Sequence, residues 1–114
     1  MAAKKRCILI DLDGVLNRYD GNFDSENIPE VKEGVRDFLE NLVQSFELKL
    51  FTTRNRLIAS KWLINNNLDK YFTDITNIKE PCFLYIDDRC LQFKGNYDEL
   101  LKDIHHFDVW WKQR

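Results

Sequence analysis

The segment RCILIDLDG, from Arg6 to Gly14, places two aspartates directly behind a nearly continuous apolar run. Such a run is typical of a central strand that is covered on both faces. Because strand residues alternate between faces, Asp11 and Asp13 point the same way if the extended geometry continues past Ile10. Two carboxylates in one small volume repel each other, and a shared proton, a neighbouring cation or a divalent metal can offset that repulsion.

Two further strands are predicted, and each ends in polar side chains. The run from Phe46 to Phe51 is followed by Thr52-Thr53-Arg54, and the continuous apolar run from Cys82 to Ile86 is followed by Asp87-Asp88. A lone Asp-x-Asp is as typical of a solvated turn as of a site. Polar residues at several strand ends of one chain favour the site.

Helices are predicted between these strands. Pro29 suits the first turn of a helix, and apolar residues recur at helical spacing from Val31 to Val43. Asn55 can cap a second helix, and Asn96 with Glu99 resembles a capping box that opens a third. Strands that alternate with helices indicate an α/β fold with a parallel sheet flanked by helices. In such sheets ligands bind beyond the carboxyl ends of the strands.

Three other segments complete this outline. The polar stretch from Asn17 to Asn27 predicts a loop or small flap, and a short strand is predicted within residues 71–76. Trp110 and Trp111 are expected to pack onto the edge of the sheet.

Length and composition predict one domain, residues 1–114. A hydrophobic fraction of 44%, a charged fraction of 32% and a net charge of -2 describe a soluble globular protein without general attraction to nucleic acid. The three cysteines lack a Cys-x-x-Cys pair and a zinc-ligand spacing, which predicts reduced thiols. The first apolar run is too short for a signal peptide or a membrane span, so we expect a cytoplasmic protein.

The polar strand ends can fill the roles that hydrolysis of a phosphate monoester requires. Asp11 can attack phosphorus and form an aspartyl-phosphate. Asp13 can protonate the departing oxygen and later take a proton from the attacking water. Thr52 offers a hydroxyl and a backbone amide to the phosphoryl group, with Thr53 as the alternative hydroxyl, and Lys79 offers a positive charge.

The same reasoning predicts a Mg²⁺ site. Asp87 and Asp88 can bind the ion together with Asp11, because Mg²⁺ prefers hard oxygen ligands. We expect direct metal contact from Asp87, whereas Asp88 either binds through water or orients Lys79.

Four motifs of this chain resemble, in order, those of the haloacid dehalogenase (HAD) superfamily. They are Asp11-Leu12-Asp13-Gly14-Val15, Thr52, Lys79 and Asp87-Asp88. The resemblance implies a three-layer Rossmann-like fold, Mg²⁺ and phosphatase activity through an aspartyl-phosphate, with the backbone carbonyl of Asp13 as a further metal ligand. The turn at 52–54 looks like the family's Thr-small-Arg turn, which leaves Arg54 as a candidate substrate contact.

The gaps between these motifs leave no room for the cap domain that many members of the superfamily carry. We therefore expect an open site that takes a phosphorylated small molecule or a macromolecular phosphate ester, including a nucleic-acid end. Two alternatives are a catalytically weak phosphate- or metal-binding module that acts with a partner, and a receiver-like phosphoacceptor domain. A receiver places its phosphorylated aspartate after a middle strand, whereas here the Asp-x-Asp comes first.

Overall fold

The computed structural model of this chain describes residues 4–112. Its strands are β1 (Arg6–Asp11), β2 (Phe46–Phe51), β3 (Asp74–Thr76) and β4 (Leu84–Ile86). Its α-helices are α1 (Val35–Val43), α2 (Arg56–Asn65) and α3 (Tyr97–His106), and short 3₁₀ turns cover Asp69–Tyr71 and Trp110–Lys112. No helix in the described range has both the length and the apolar character that a bilayer crossing requires.

The four strands form one parallel sheet in the order β3-β2-β1-β4. Leu9 of β1 lies opposite Lys49 of β2 on one side and Tyr85 of β4 on the other. The chain adds β2 and β3 on one side of β1 and then returns to the other side, so the strand order reverses at β1. Ligand crevices of parallel sheets open at such a reversal, beyond the carboxyl ends of the strands. The predicted α/β fold is confirmed, and residues 4–112 contain no cap domain.

The core lies between the sheet and helices α1 and α2. Alternate residues of the two central strands point to this side and are fully buried: Ile8, Ile10, Leu48 and Leu50. Leu39 of α1 and Leu63 of α2 belong to the same buried cluster. Burial of each such side chain contributes about 1.5–3 kcal/mol, which fixes the position of β1 and of the residues that follow it.

Helix α1 begins later than the apolar spacing predicts. A helix from Pro29 onward was expected, but α1 starts at Val35. The intervening segment pairs antiparallel with the chain after β1: the Arg18 amide donates to the Glu30 carbonyl at 2.9 Å, and the Lys32 amide donates to the Leu16 carbonyl at 2.9 Å. These bonds compete with the helical ones, and they tie the base of the flap to the entrance of α1.

Local capping signals set the starts of the other two helices, as predicted. The Asn55 side chain accepts hydrogen bonds from the amides of Leu57 and Ile58 and opens α2. The Asn96 side chain accepts one from the amide of Glu99 and opens α3.

Strand β4 and helix α3 are more exposed than the sequence suggests. The apolar run from Cys82 to Ile86 is typical of a covered strand, but only Leu84–Ile86 forms β4, at the edge of the sheet. Leu84 and Tyr85 are each 37% exposed. No residue of α3, which is described in full, is buried. The run of apolar residues therefore predicted the strand correctly but not its burial, because few residues pack against it.

Candidate functional site

Three carboxylates meet at the carboxyl edge of the sheet. Asp11 is the last residue of β1, and Asp87-Asp88 directly follow the neighbouring strand β4. One carboxylate oxygen from each of the three aspartates lies within 4.8 Å of the others. The parallel register of β1 and β4 thus brings together residues separated by most of the chain, as the sequence predicted.

The cluster raises the pKa of its own members. The pKa of Asp11 rises from 3.8 to about 8, first because the carboxyl is buried and then because Asp87 and Asp88 repel its charge. Burial also raises the pKa of Asp88, and the neighbouring Asp87 adds to that rise. A site that must hold these groups ionised therefore needs a compensating positive charge.

The donor set fits a hard divalent cation. The Asp88 side chain is 1% exposed, and its buried Oδ1 has no hydrogen-bond donor in the part of the chain that the structure describes. Arg89 places a positive charge beside this oxygen, with its Nε 3.9 Å away on a mostly exposed side chain. An unsatisfied buried carboxylate oxygen beside two other carboxylates matches the oxygen ligands that Mg²⁺ prefers. Asp11, Asp87 and Asp88 are the residues that would hold the ion.

Asp13 does not join this cluster with its side chain. Its carboxylate accepts from Arg54 Nε at 2.8 Å and from Arg54 Nη2 at 3.2 Å, which is a two-pronged ion pair. Asn17, fully buried, donates to the same carboxylate at 3.0 Å. Both oxygens of the predicted acid/base residue therefore face donors in this structure.

Arg54 points inward rather than toward a substrate. Its side chain is 1% exposed, and besides Asp13 it reaches the flap: Nη1 donates to the carbonyl of Asp24 at 2.6 Å. The guanidinium also lies 4.5 Å from the centre of the Phe23 ring. In this conformation Arg54 ties the Asp-x-Asp turn to the flap, and its role as a substrate contact stays a prediction.

Thr52 and Thr53 both line a crevice beside the acidic cluster, but their polar groups have different hydrogen-bond partners. The Thr52 amide donates to the carbonyl of Thr76 at 3.0 Å in this conformation, and its contact with a phosphoryl group stays a prediction. The Thr52 hydroxyl accepts from the Arg54 amide at 3.1 Å and keeps its own proton to donate. Thr53 is exposed and lies in the lining of the crevice.

Lys79 lies apart from the acids. Its side chain is exposed, and its ammonium stands 5.2 Å from the centre of the Tyr85 ring. It is not among the described residues that line the crevice, whereas Arg89 is. Arg89 is therefore the cation that this structure places at the crevice, and the predicted role of Lys79 would require its side chain to swing toward Asp11.

The crevice has a volume of about 460 Å³ and carries aromatic walls that the motifs did not predict. Tyr19 and Phe23 come from the flap, and Phe51 ends β2. Aromatic residues within an otherwise polar flap were the signal in the sequence that could have indicated a binding role. The lining of the crevice thus combines carboxylates with three aromatic rings.

Trp110 and Trp111 were expected on the sheet edge, and this expectation is wrong. The indole N–H of Trp110 donates to the carbonyl of Gly14 at 2.6 Å, and that of Trp111 donates to Asp88 Oδ2 at 2.6 Å. These contacts join residues far apart in the chain, and no local pattern signals them. The chain end that the structure describes therefore lies against the acidic cluster.

Comparison with known proteins adds support for the fold alone. No protein-family model matches the chain, and no curated protein matches it. Among solved structures, it is similar to a conserved protein coded by a locus of Bacteroides thetaiotaomicron, with a TM-score of 0.60 and 18% sequence identity. The similarity covers 94% of this chain and 95% of the other. At that identity, a shared fold does not specify a shared function.

Proposed function

We propose that this protein is a Mg²⁺-dependent phosphatase that hydrolyses phosphate monoesters through a phosphoryl group carried on Asp11. The observation that carries the proposal is the meeting of Asp11, Asp87 and Asp88 within 4.8 Å, with a buried oxygen of Asp88 left unsatisfied. The order of the motifs, which resembles that of the HAD superfamily, supports the same assignment. We place the chain in that superfamily as a small, capless member.

The first half of the reaction uses Asp11 as the nucleophile. One of its carboxylate oxygens attacks phosphorus while the bond from phosphorus to the ester oxygen breaks. The attack requires Asp11 to be ionised. Burial and the neighbouring acids raise the pKa of Asp11 and so oppose its ionisation. Asp11, Asp87 and Asp88 would hold Mg²⁺, which would supply the positive charge that the ionised carboxylates and the transferring phosphoryl group need.

Asp13 handles the protons in both halves. As a carboxylic acid it gives its proton to the departing ester oxygen, and as a carboxylate it then takes a proton from water. The water oxygen attacks phosphorus, the bond from phosphorus to Asp11 breaks, and inorganic phosphate leaves. Proton donation requires the ion pair with Arg54 to open. Because Arg54 also holds the Asp24 carbonyl, opening of the pair is coupled to movement of the flap.

Donors at the crevice stabilise the phosphoryl oxygens. Thr52 and Thr53 line the crevice and offer hydroxyl donors, and Arg89 offers a positive charge at the crevice wall. Lys79 serves the same purpose if its side chain leaves Tyr85. Since the crevice is open and has no cap, we expect its substrate to be a phosphorylated small molecule or the exposed phosphate of a macromolecule.

A screen of phosphate monoesters tests the proposal. The purified protein is assayed with Mg²⁺ against sugar phosphates, nucleotides, phosphopeptides and oligonucleotide ends. We expect turnover of at least one class, loss of that turnover in Asp11→Asn, and strongly slowed hydrolysis with retained Mg²⁺ binding in Asp13→Asn. Turnover that survives Asp11→Asn would end the covalent mechanism.

The ion pair between Asp13 and Arg54 favours a second candidate. A protein that binds phosphate or metal without turnover has no need to open this pair, and the structure shows the pair formed. Such a module would bind Mg²⁺ and inorganic phosphate but release no phosphate from any ester in the screen. Hydrolysis by the wild-type protein would reject this candidate.

A further inference from the structure

Trp111 makes a polar contact with the acidic cluster from outside the predicted motifs. Its indole N–H donates to Asp88 Oδ2 at 2.6 Å, while Asp88 Oδ1 is buried without a hydrogen-bond donor. The two oxygens of one carboxylate therefore have different surroundings. One accepts from the indole, and the other has no donor among residues 4–112.

The position of the Asp88 carboxylate is further fixed by packing against Gly14. This glycine has φ +84°, and a Cβ placed on it would overlap Asp88 Oδ2 and lie 3.1 Å from Trp111 Nε1. Trp110 donates to the Gly14 carbonyl at 2.6 Å. Gly14 therefore packs against Asp88, and both residues are in contact with the tryptophan pair.

The flap holds the Trp111 ring from the other side. Tyr19 meets it edge to face, with ring centroids 5.2 Å apart and planes at 81°. A Cβ on Gly21 would lie 3.2 Å from the ring, so the flap backbone passes close to it. The indole N–H therefore has little freedom to point elsewhere than at Asp88.

We propose that Trp111 is a positioning residue for the cation site: it holds Asp88 so that Oδ1 faces the shared space of the three carboxylates. The inference rests on the proposed function, since it assumes that the cluster binds Mg²⁺. Groups that orient a metal ligand typically change metal affinity by about 10–100-fold when they are removed. An indole N–H can orient the carboxylate without adding charge, because it is a donor only.

Two measurements test this role without an activity assay. Isothermal titration calorimetry compares Mg²⁺ affinity in the wild type and in Trp111→Phe, which keeps a ring but loses the N–H. We expect affinity to fall by roughly 10–100-fold. The matched control is Trp62→Phe, which removes an indole N–H that donates to the Pro29 carbonyl at 3.1 Å, away from the acids. That variant should bind Mg²⁺ as the wild type does.

The second measurement follows the indole N–H resonances of the ¹⁵N-labelled wild type during a Mg²⁺ titration. The resonance that is missing from Trp111→Phe should shift at saturation, and that of Trp62 should stay. An unmoved Trp111 resonance at saturating Mg²⁺, or equal affinity in a folded Trp111→Phe, would overturn the positioning role and leave the phosphatase proposal standing. A wild-type protein that binds no Mg²⁺ would contradict both. If Trp111→Phe does not fold, the shift of the Trp111 indole resonance in the wild type decides the question. The resonance is then assigned as the one that is missing from the spectrum of Trp111→His.

Discussion

Arg54 and Asp13 form an ion pair whose cation is almost completely removed from water, with 1% of the Arg54 side chain exposed. In Arg54→Ala the Asp13 carboxylate, 17% exposed, loses its partner and the flap loses the contact to the Asp24 carbonyl. Breaking a buried pair in this way typically costs about 3–5 kcal/mol. We therefore expect the free energy of unfolding, measured by urea denaturation, to fall by roughly that amount.

The matched control is Arg56, two positions along the chain and the first residue of α2. It pairs with Asp74 at 2.7 Å, but the two side chains are 71% and 41% exposed. Because exposed pairs contribute little, Arg56→Ala should cost less than about 1 kcal/mol. Similar losses in the two variants would show that the Arg54 pair is not the buried contact described above.

Single residues differ in how far their roles can be predicted from sequence. Asp11, Thr52 and Asp87 were predicted at one edge because each follows a strand, and parallel strands end together. The pairing of Arg54 with Asp13 was not predicted, since it joins residues 41 positions apart and depends on an inward side-chain conformation. The sequence places the arginine beside the site but does not determine its direction.

At the scale of an element, the turn after β1 depends on Gly14. Gly14→Ala would introduce a residue at φ +84° and also push a methyl group into Asp88 and the Trp111 indole. We expect it to destabilise the protein and to weaken Mg²⁺ binding together. Thermal unfolding and calorimetric titration measure the two effects.

Gly34 supplies the comparison, because it precedes α1 with a similar φ of +90° but has no atom within 4 Å of a built Cβ. Gly34→Ala should cost only the backbone strain, about 1–2 kcal/mol, and leave Mg²⁺ affinity unchanged. If Gly14→Ala behaved as Gly34→Ala does, the close contact of the turn with Asp88 would be refuted.

The starts of the three helices show which helix boundaries can be predicted from the sequence. Those of α2 and α3 were predicted because Asn55 and Asn96 cap them through bonds within three residues. The start of α1 was missed, since the segment before it bonds to residues 16–18 across the flap. Local hydrogen bonds can be inferred from neighbours in the sequence, and bonds across a loop cannot.

For the whole molecule, the acidic cluster makes stability depend on pH. Asp11 keeps its proton to about pH 8 in the folded protein, whereas the unfolded chain releases it near its ordinary pKa of 3.8. Between these values the folded state binds more protons, so the free energy of unfolding falls as pH rises. We expect metal-free protein to be less stable to urea at pH 8 than at pH 5, relative to Asp11→Asn.

Asp11→Asn is the reference in that experiment because its neutral side chain keeps the shape and does not titrate. Groups distant from the cluster contribute equally to both proteins, so the difference between the two curves reports Asp11 together with its coupling to Asp87 and Asp88. Saturating Mg²⁺ should reduce the loss at high pH, since the ion binds the ionised carboxylates. Parallel pH profiles of the two proteins would contradict the raised pKa of Asp11.

Two features of the whole molecule, the contact of Trp111 with Asp88 and the exposure of β4, were not indicated by any motif. Alternating strands and helices predicted the parallel sheet but not its strand order, and the observed order β3-β2-β1-β4 places Asp11 beside Asp87 and Asp88. The approach of Trp111 to Asp88 depends on how the segment after α3 returns across the sheet, and α3 itself buries no residue that would fix that path in the sequence pattern. The exposure of β4 was missed for the same reason, because the burial of a strand depends on which elements pack against it in the folded protein.

The central claim is that Asp11 carries the phosphoryl group during turnover. Wild-type protein is mixed with Mg²⁺ and the best ester of the screen, quenched in acid and digested with trypsin, and the peptide from Cys7 to Arg18 is examined by mass spectrometry. We predict a phosphoryl group on that peptide, removed by neutral hydroxylamine as an acyl phosphate should be, and absent from Asp11→Asn. Hydrolysis of the ester by Asp11→Asn at the wild-type rate, with no phosphoryl group on the wild-type peptide, would contradict the account.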